Sequence, residues 1–277
     1  MAKTARLDLH CHSVASDGRY PADDVLARAL ASGLDVLALT DHDLPPVLPF
    51  GEIPRPPGGK FETPLRLVHG VELTGAHEGK EFHLLVYFPA AMPAPFAAFC
   101  RTRAQFRARR FDWTCTHLGL PDRAPPEAVA GQRALTRHHL AAALMAHPTD
   151  SGEARTWMDC YHILRDPRNV PLCDLSFTDA IRLSRDAGGF TSWAHPPLDD
   201  AQRFTATFAA AGLQALEGVR PRTDKPTKNG LKRLAVKHKL LLTGGSDWHG
   251  YTDDFGHFAL AGEHSDRWLA ALDAPVH

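Results

Sequence analysis

Apolar and polar residues alternate over LDLHCH, from Leu7 to His12. Leu7, Leu9 and Cys11 point one way, Asp8, His10 and His12 the other, which predicts a short strand with a polar face at its C-terminal end. The period then changes. In PADDVLARALASG, Pro21 opens the segment, acidic residues fill the first turn and Gly33 closes it, while Val25, Leu26, Ala29 and Leu30 make one face. These are the marks of an amphipathic helix. VLALTDHD predicts a buried strand over Val36–Leu39 that ends in polar residues. Strand, helix and strand within so short a stretch form a βαβ unit and imply parallel strands.

Residues 44–64 are dense in Pro and Gly and predict a loop, a candidate gate for whatever lies beside it. RLVHGVEL and EFHLLVYF predict two more strands, joined by a turn in TGAHEGK. From residue 93 to 185 strand signals nearly vanish, and stretches such as RALTRHHLAAALMAH predict helices. Strand signals return in GFTSWAHP, AGLQALEGVRP and LLLTGGSDWHG, with a helix in LKRLAVKHK. The expected organisation is an α/β domain whose N-terminal part spans 1–92 and C-terminal part 186–277, interrupted by a helical insertion over 93–185.

Composition narrows the picture. The formal net charge is -1, so no global field favours nucleic acid or membrane, and no stable binding to duplex nucleic acid is expected. An anionic partner has to be drawn by a local site. The five cysteines are widely spaced and form no CxxC, which argues against a disulfide framework and a thiolate zinc site. A reducing, cytoplasmic setting is the expectation. The N-terminus lacks a signal-peptide core, and no apolar run is long enough to cross a bilayer. Cys11 is expected to pack on the helix side of its strand. Nothing in the sequence indicates the oligomeric state.

The unusual feature is 17 histidines, because of where many of them fall. Asp8, His10, His12, Asp41, His42, Glu72, His83, His195, Glu217, Asp247 and His249 close the predicted strands, and Asp17 lies in the loop after the first. In a closed parallel barrel such strand ends share one rim, where active sites lie. Imidazole and carboxylate groups suit Zn, Mn and Fe. Any one of these residues alone is an ordinary solvated or core histidine or carboxylate. Their recurrence at strand after strand points to a multi-metal site.

DLHCHSVASDG, LALTDHD, GVEL followed by EFHLL, AHP and GGSDWHG, in that order, resemble the motifs of the PHP (polymerase and histidinol phosphatase) family. The resemblance covers roughly residues 7–90 and 186–260. With the helical insertion and TRHHL, it is nearest to the stand-alone phosphoesterases that act on nucleoside 3′,5′-bisphosphates or trim short RNA from the 5′ end. It implies a distorted (β/α)7 TIM-like barrel, two or three divalent ions (Mn, Fe or Zn), and a small phosphorylated substrate. His10, His12, Asp17, His42, Glu72, His83, His195, Asp247 and His249 match the ligand positions. Asp8, Asp41, Asp43 and Glu217 match carboxylates that orient ligands. The Pro-rich loop replaces a helix common in relatives, and NVPLCDLSF lacks their Gly-Pro and Tyr features.

For the substrate side, Arg101, Arg107 and Arg109 of CRTRAQFRARR match arginines of similar spacing in the relatives, with a solvated helix face as the plainer account. Arg101 and Arg107 are the candidates for holding phosphate. In TRHHL, Arg137 is expected to bind phosphate and His139 to contact substrate as a candidate proton donor. His257 is a further candidate contact. Histidines without motif context, among them His69 and His277, read as ordinary. The expected activity is therefore metal-dependent hydrolysis of nucleotide phosphoesters. A histidinol-phosphate-type or other small-molecule phosphatase and a non-catalytic nucleotide-binding module are the alternatives.

Overall fold

The computed structural model describes residues 4–147 and 154–274; His277 lies outside them. Two sheets and a set of helices make up the fold. The first sheet has the order β1 (Leu7–Asp8), β2 (Val36–Leu37), β4 (Leu65–Leu67), β3 (Gly51–Ile53). Its first three strands are parallel, as the βαβ reading requires, with α1 (Ala22–Ser32) as the crossover. Helix α1 stops at Gly33, whose φ of 72° is the left-handed turn that glycine adopts without cost. The Pro-rich stretch is not wholly loop, because β3 lies inside it and pairs antiparallel with β4.

The second sheet has the order β5 (His69–His77), β6 (Lys80–Phe88), β7 (Phe190–Trp193), β8 (Ala215–Val219), β9 (Leu241–Gly244). Here the structure departs from an all-parallel barrel. Only Glu78 and Gly79 separate β5 from β6, both with positive φ (45° and 76°). A two-residue connection of that hand makes an antiparallel hairpin and nothing else. Strand β6 therefore runs antiparallel to both β5 and β7, while β7, β8 and β9 are parallel. The two sheets meet through isolated bridges, His42 with Glu72 at one edge and Cys11 with Trp248 at the other. The architecture shown is thus a mixed α/β fold of two bridged sheets.

Between the sheets lies an apolar interior to which both contribute, including Leu7, Leu9, Val36, Leu85, Tyr87 and Phe190. The Tyr87 hydroxyl donates to the Leu9 carbonyl across it at 3.0 Å. Cys11 is buried and packs with Val25, Leu39 and Trp248, as its strand parity predicted. On the outer face of the second sheet, Val71, Leu73, Leu84 and Val86 meet Phe177 and Ile181 of α6 (Phe177–Asp186) and Phe204 and Phe208 of α7 (Leu198–Ala210). Helix α9 (Glu263–Leu272) closes the interior with Trp268 and Leu272.

The helical region has its own core. In α2 (Ala94–His117), Phe96, Cys100, Ala104, Ala108, Phe111 and Cys115 recur at three- and four-residue spacing and are buried. The part from Ala108 onward packs with α3 (Pro126–Val129), α4 (Arg137–Ala146) and α5 (Trp157–Arg165) around Leu120, Leu140, Leu144 and Leu164. The ends of the region behave differently, since Phe96, Cys100 and the buried face of α6 (Phe177, Ala180 and Ile181) belong to the sheet core. Among the described residues, the separately packed part therefore starts near Ala108 and reaches Val170, within the stretch expected as the insertion.

Candidate metal centre

The nine candidate ligands come together in one cluster, with His10, His12, Asp17, His42 and Glu72 buried and His83, His195, Asp247 and His249 half-buried. His10 and His12 follow β1, Asp17 sits in the turn after them, His42 follows β2, His195 follows β7, and Asp247 and His249 follow β9. Glu72 and His83 differ from the strand-end expectation, because they lie inside β5 and β6. The hairpin explains this. Antiparallel β6 enters at the rim, so its second turn of the pleat, not its end, carries His83 to the cluster opposite Thr74.

Glu72 is the centre. Its Oε2 lies 3.3 Å from His10 Nε2, 3.3 Å from His12 Nε2 and 3.2 Å from His42 Nδ1. Its Oε1 lies 3.0 Å from His83 Nδ1 and 3.0 Å from His195 Nε2. Asp247 Oδ1 is 3.4 Å from His10 Nε2 and 3.6 Å from His12 Nε2, and Asp17 reaches His249 at 3.4 Å and His42 at 3.6 Å. Two donors each ~2.1 Å from one ion in tetrahedral or octahedral geometry stand roughly 3.0–3.4 Å apart. Most of these contacts are near that spacing and long for a charged hydrogen bond. Four donor groups are also incomplete: His10 Nε2, His12 Nε2, His42 Nδ1 and Asp17 Oδ1 are buried without a hydrogen-bond partner. Buried polar atoms left that way are costly, and cations held by the four overlapping donor groups here would satisfy them. The residues present fit a group of divalent ions.

Electrostatics point the same way. Burial pushes Glu72 up, but His42, His10 and His83 outweigh it and hold the carboxyl well below the usual range. Burial pulls His12 down, and Asp247 and Glu72 more than offset that, raising it to about 10. Against their burial, His10 and His195 are raised by the same carboxylates, whereas burial holds His42 well below the ordinary imidazole range despite Glu72 and Asp17.

Backbone strain marks the same place. His195 and Asp247 have φ of 33° and 48°, and Asp43 has 51°, values that non-glycine residues rarely hold unless their surroundings enforce them.

The four flanking carboxylates divide into two kinds. Glu217 orients a candidate ligand directly. Its Oε1 is 2.8 Å from His10 Nδ1, which leaves Nε2 facing Glu72, and its Oε2 accepts the His195 N–H at 2.7 Å. The other three hold backbone. Asp8 accepts from the Ser246 N–H, and Asp43 from the Thr74 N–H and Arg107. Asp41 accepts from the Ser13 N–H and hydroxyl and from Ser16 Oγ, which stands 3.4 Å from His12 Nδ1.

Beside a cavity of about 440 Å³ lined by His83, His195, Arg137 and Arg165 among others, the cluster has two that share Asp17, His138 and Tyr161. One, of about 190 Å³, is lined by His42, His83, Arg107, Arg110 and Arg137 among others. The other, of about 370 Å³, is lined by Asp247, His249, Tyr251 and Arg220 among others.

The insertion's cations lie differently from expectation. Arg107 reaches the first cavity, but its guanidinium is committed to Asp43, Thr74 and the Leu135 carbonyl. Arg137 also lines it, and shares the buried Glu81 carboxylate with Arg110 at 2.7 Å each. Arg101 and Arg109 are exposed and line neither cavity, and the same holds for His257. His139 caps α4, its Nδ1 accepting the Thr136 N–H at 3.1 Å, while His138 faces both cavities, stacked on Trp157 and 3.1 Å from the Tyr251 hydroxyl. Thr136 three residues before His139 is a capping-box spacing, a signal in the sequence that separates the two histidines. Glu81 carried no sequence signal, since its importance depends on two arginines distant along the chain.

Three curated relatives align over most of the chain. A phosphoribosyl 1,2-cyclic phosphate 1,2-diphosphodiesterase of Eggerthella lenta is 28% identical over 88% of this chain and 94% of its own length. A 5′-3′ exoribonuclease of Salmonella typhimurium is 29% identical over 87% and 84%. A 3′,5′-nucleoside bisphosphate phosphatase of Chromobacterium violaceum is 27% identical over 91% of each. The chain is thus similar over most of its length to phosphoesterases. A solved structure from Bifidobacterium adolescentis, named as a candidate metal-dependent phosphoesterase, superposes with a TM-score of 0.71 at 24% identity, covering 97% of this chain and 96% of that one. No family model matches the chain.

Proposed function

We propose that the protein is a metal-dependent phosphoesterase that hydrolyses phosphate monoesters of small nucleotides, such as nucleoside 3′,5′-bisphosphates, or of short oligonucleotides. The observation that carries this is Glu72, with one carboxylate between five imidazoles whose donor atoms are in part buried and unpartnered. The relatives act on a cyclic phosphate diester, RNA and a nucleoside bisphosphate by their names, and attack of water on a phosphoester is common to all three.

In this reading His10, His12, Asp17, His42, Glu72, His83, His195, Asp247 and His249 hold two or three divalent ions, of Mn, Fe or Zn. Such ions supply Lewis acidity, which acidifies water and neutralises phosphoryl charge. The chain does the rest. Glu217 fixes the His10 ring so that Nε2 faces the cluster. Arg107 and Arg137 put positive charge on the wall of the smaller cavity, where phosphoryl oxygens would sit. His138 is half-buried, and burial holds it below the ordinary imidazole range, so it is neutral near pH 7 and can hydrogen-bond the leaving group. The bridged sheets are read as a distorted (β/α)7 barrel opened by the β5–β6 hairpin, with the helical insertion as a cap. A cytoplasmic setting with small phosphorylated substrates fits this use. Among the described residues no helix is long and apolar enough to cross a membrane.

The test is metal analysis of the purified protein, with phosphate release assayed across nucleoside bisphosphates, mononucleotides and short RNA. Turnover of at least one class that a chelator abolishes and Mn restores is expected. Metal-replete protein silent on every phosphoester would sink the reading.

A further inference from the structure

The insertion's arginines were the sequence candidates for holding a second phosphate, yet Arg107, Arg110 and Arg137, which line the cavity of about 190 Å³ beside the cluster, are spent on protein carboxylates. Arg103 pairs with Asp174, Arg107 with Asp43, and Arg110 and Arg137 with Glu81. On the opposite side of the cluster stands Arg220. It lines the cavity of about 370 Å³ together with Asp247 and His249. It takes part in no ion pair or hydrogen bond among the described residues, and its Nε is buried without a partner. A buried guanidinium N–H left unsatisfied in a cavity wall is a donor awaiting an acceptor.

The fold builds this placement. Strand β8 carries Glu217, and a bulge in its pairing with β9 lies between Glu217 and Val219, just before Arg220. A bulge at a strand end re-aims the side chains that follow. Arg222, two residues on, also lines the cavity and is held at a φ of 54°. Helix α8 (Lys225–Lys237) follows directly, with Asp224 as its N-cap. Asp254 is the one carboxylate of the cavity outside the candidate ligands, and it accepts a hydrogen bond from Thr252 at the rim.

We propose that Arg220, helped by Arg222, seats a second, non-reacting phosphoryl group of the substrate, and so selects molecules with two phosphates over those with one. This rests on the phosphoesterase reading. The second phosphate has two sources of the same chemistry, the other monoester of a nucleoside bisphosphate or the next diester of an oligonucleotide. An arginine presents paired N–H donors to either.

The experiment compares kcat/KM of the Mn-loaded wild type, Arg220→Gln and Arg220→Lys on adenosine 3′,5′-bisphosphate, adenosine 3′-monophosphate and a 5′-phosphorylated RNA trimer. Arg220→Gln is expected to lose roughly 30-fold or more on a two-phosphate substrate and less than about 3-fold on the monophosphate, with partial rescue by lysine. Loss confined to the bisphosphate assigns the seat to a terminal monoester, and loss confined to the trimer to a diester. Equal losses on all three, or none, overturn the proposal. If the wild type turns over no phosphoester, the catalytic reading fails by itself. Calorimetric titration of adenosine 3′,5′-bisphosphate then decides the seat: binding weakened at least tenfold by Arg220→Gln upholds it, and equal affinity or no binding to the wild type removes it.

Discussion

The metal-cluster rim and the helical insertion are both rich in charge, and they resolve it in opposite ways. At the rim, His10, His12, His42 and Asp17 leave buried donor or acceptor atoms unpartnered, centred on one carboxylate. In the insertion, Arg103, Arg107, Arg110 and Arg137 each find a carboxylate of this same chain. Side chains satisfied by the protein are part of its scaffold, whatever else they line. Side chains that are crowded, buried and unsatisfied are held for something the chain does not supply. Residue type alone does not separate the two, and pairing does.

The contrast can be broken most severely at the rim. Asp17→Asn or His42→Ala is expected to lower kcat/KM roughly 10³-fold or more through lost metal or metal geometry. Rates near wild type in saturating Mn would place the chemistry elsewhere.

In the insertion the expected damage is to stability. Glu81→Ala strands Arg110 and Arg137 beside each other, one of them nearly buried. Urea unfolding should show a loss of about 3 kcal/mol, toward the low end for a broken buried pair because Arg137 is 30% exposed. A change below about 1 kcal/mol would mean that the pair is no scaffold.

Glu217→Gln tests the boundary between the regions. It keeps the shape but weakens the hold on His10 Nδ1, so metal affinity should fall about 10–100-fold with little loss of stability. The opposite pattern would make Glu217 a structural carboxylate only.

The smallest effect is a pH signature in the insertion. Burial pushes His139 down to about 4. The folded protein keeps it neutral while the unfolded chain takes up a proton below about pH 6.5. Its contribution to stability is therefore full above about 6.5 and is lost as pH falls toward 4, by at most about 3 kcal/mol. His139→Gln keeps a capping box and cannot titrate, so its urea midpoint should fall less than that of the wild type between pH 7 and 5. Parallel curves would show that His139 does not contribute to this titration.

How much was legible in the sequence follows from how far each signal reaches along the chain. Strand parity placed Cys11 in the core and turned His10 and His12 the other way, because a period of two is local. Recurrence at strand ends pointed to one cluster without any distance being known, and the resemblance to the PHP family singled out the nine candidates within it. The hairpin was half visible. Its turn was expected, but Glu72 and His83 were placed at strand ends, because the register that extends β5 to His77 is set by β6 and not by its own residues. On the substrate side, the sequence shows that arginines are present but not which carboxylates they meet. Arg107 was called for phosphate and is committed to Asp43, while Arg220 drew no attention, because an absent partner is a property of the folded chain alone.

The account depends most on the claim that Glu72 is the junction of a divalent-metal cluster. Anomalous diffraction from Mn-loaded crystals, collected near the Mn absorption edge, addresses it directly. Two or three anomalous peaks are expected within bonding distance of Glu72 and the surrounding histidines, among the side chains of Asp17 and Asp247. Fully loaded crystals with no peak at Glu72, or with peaks only elsewhere, would contradict the account.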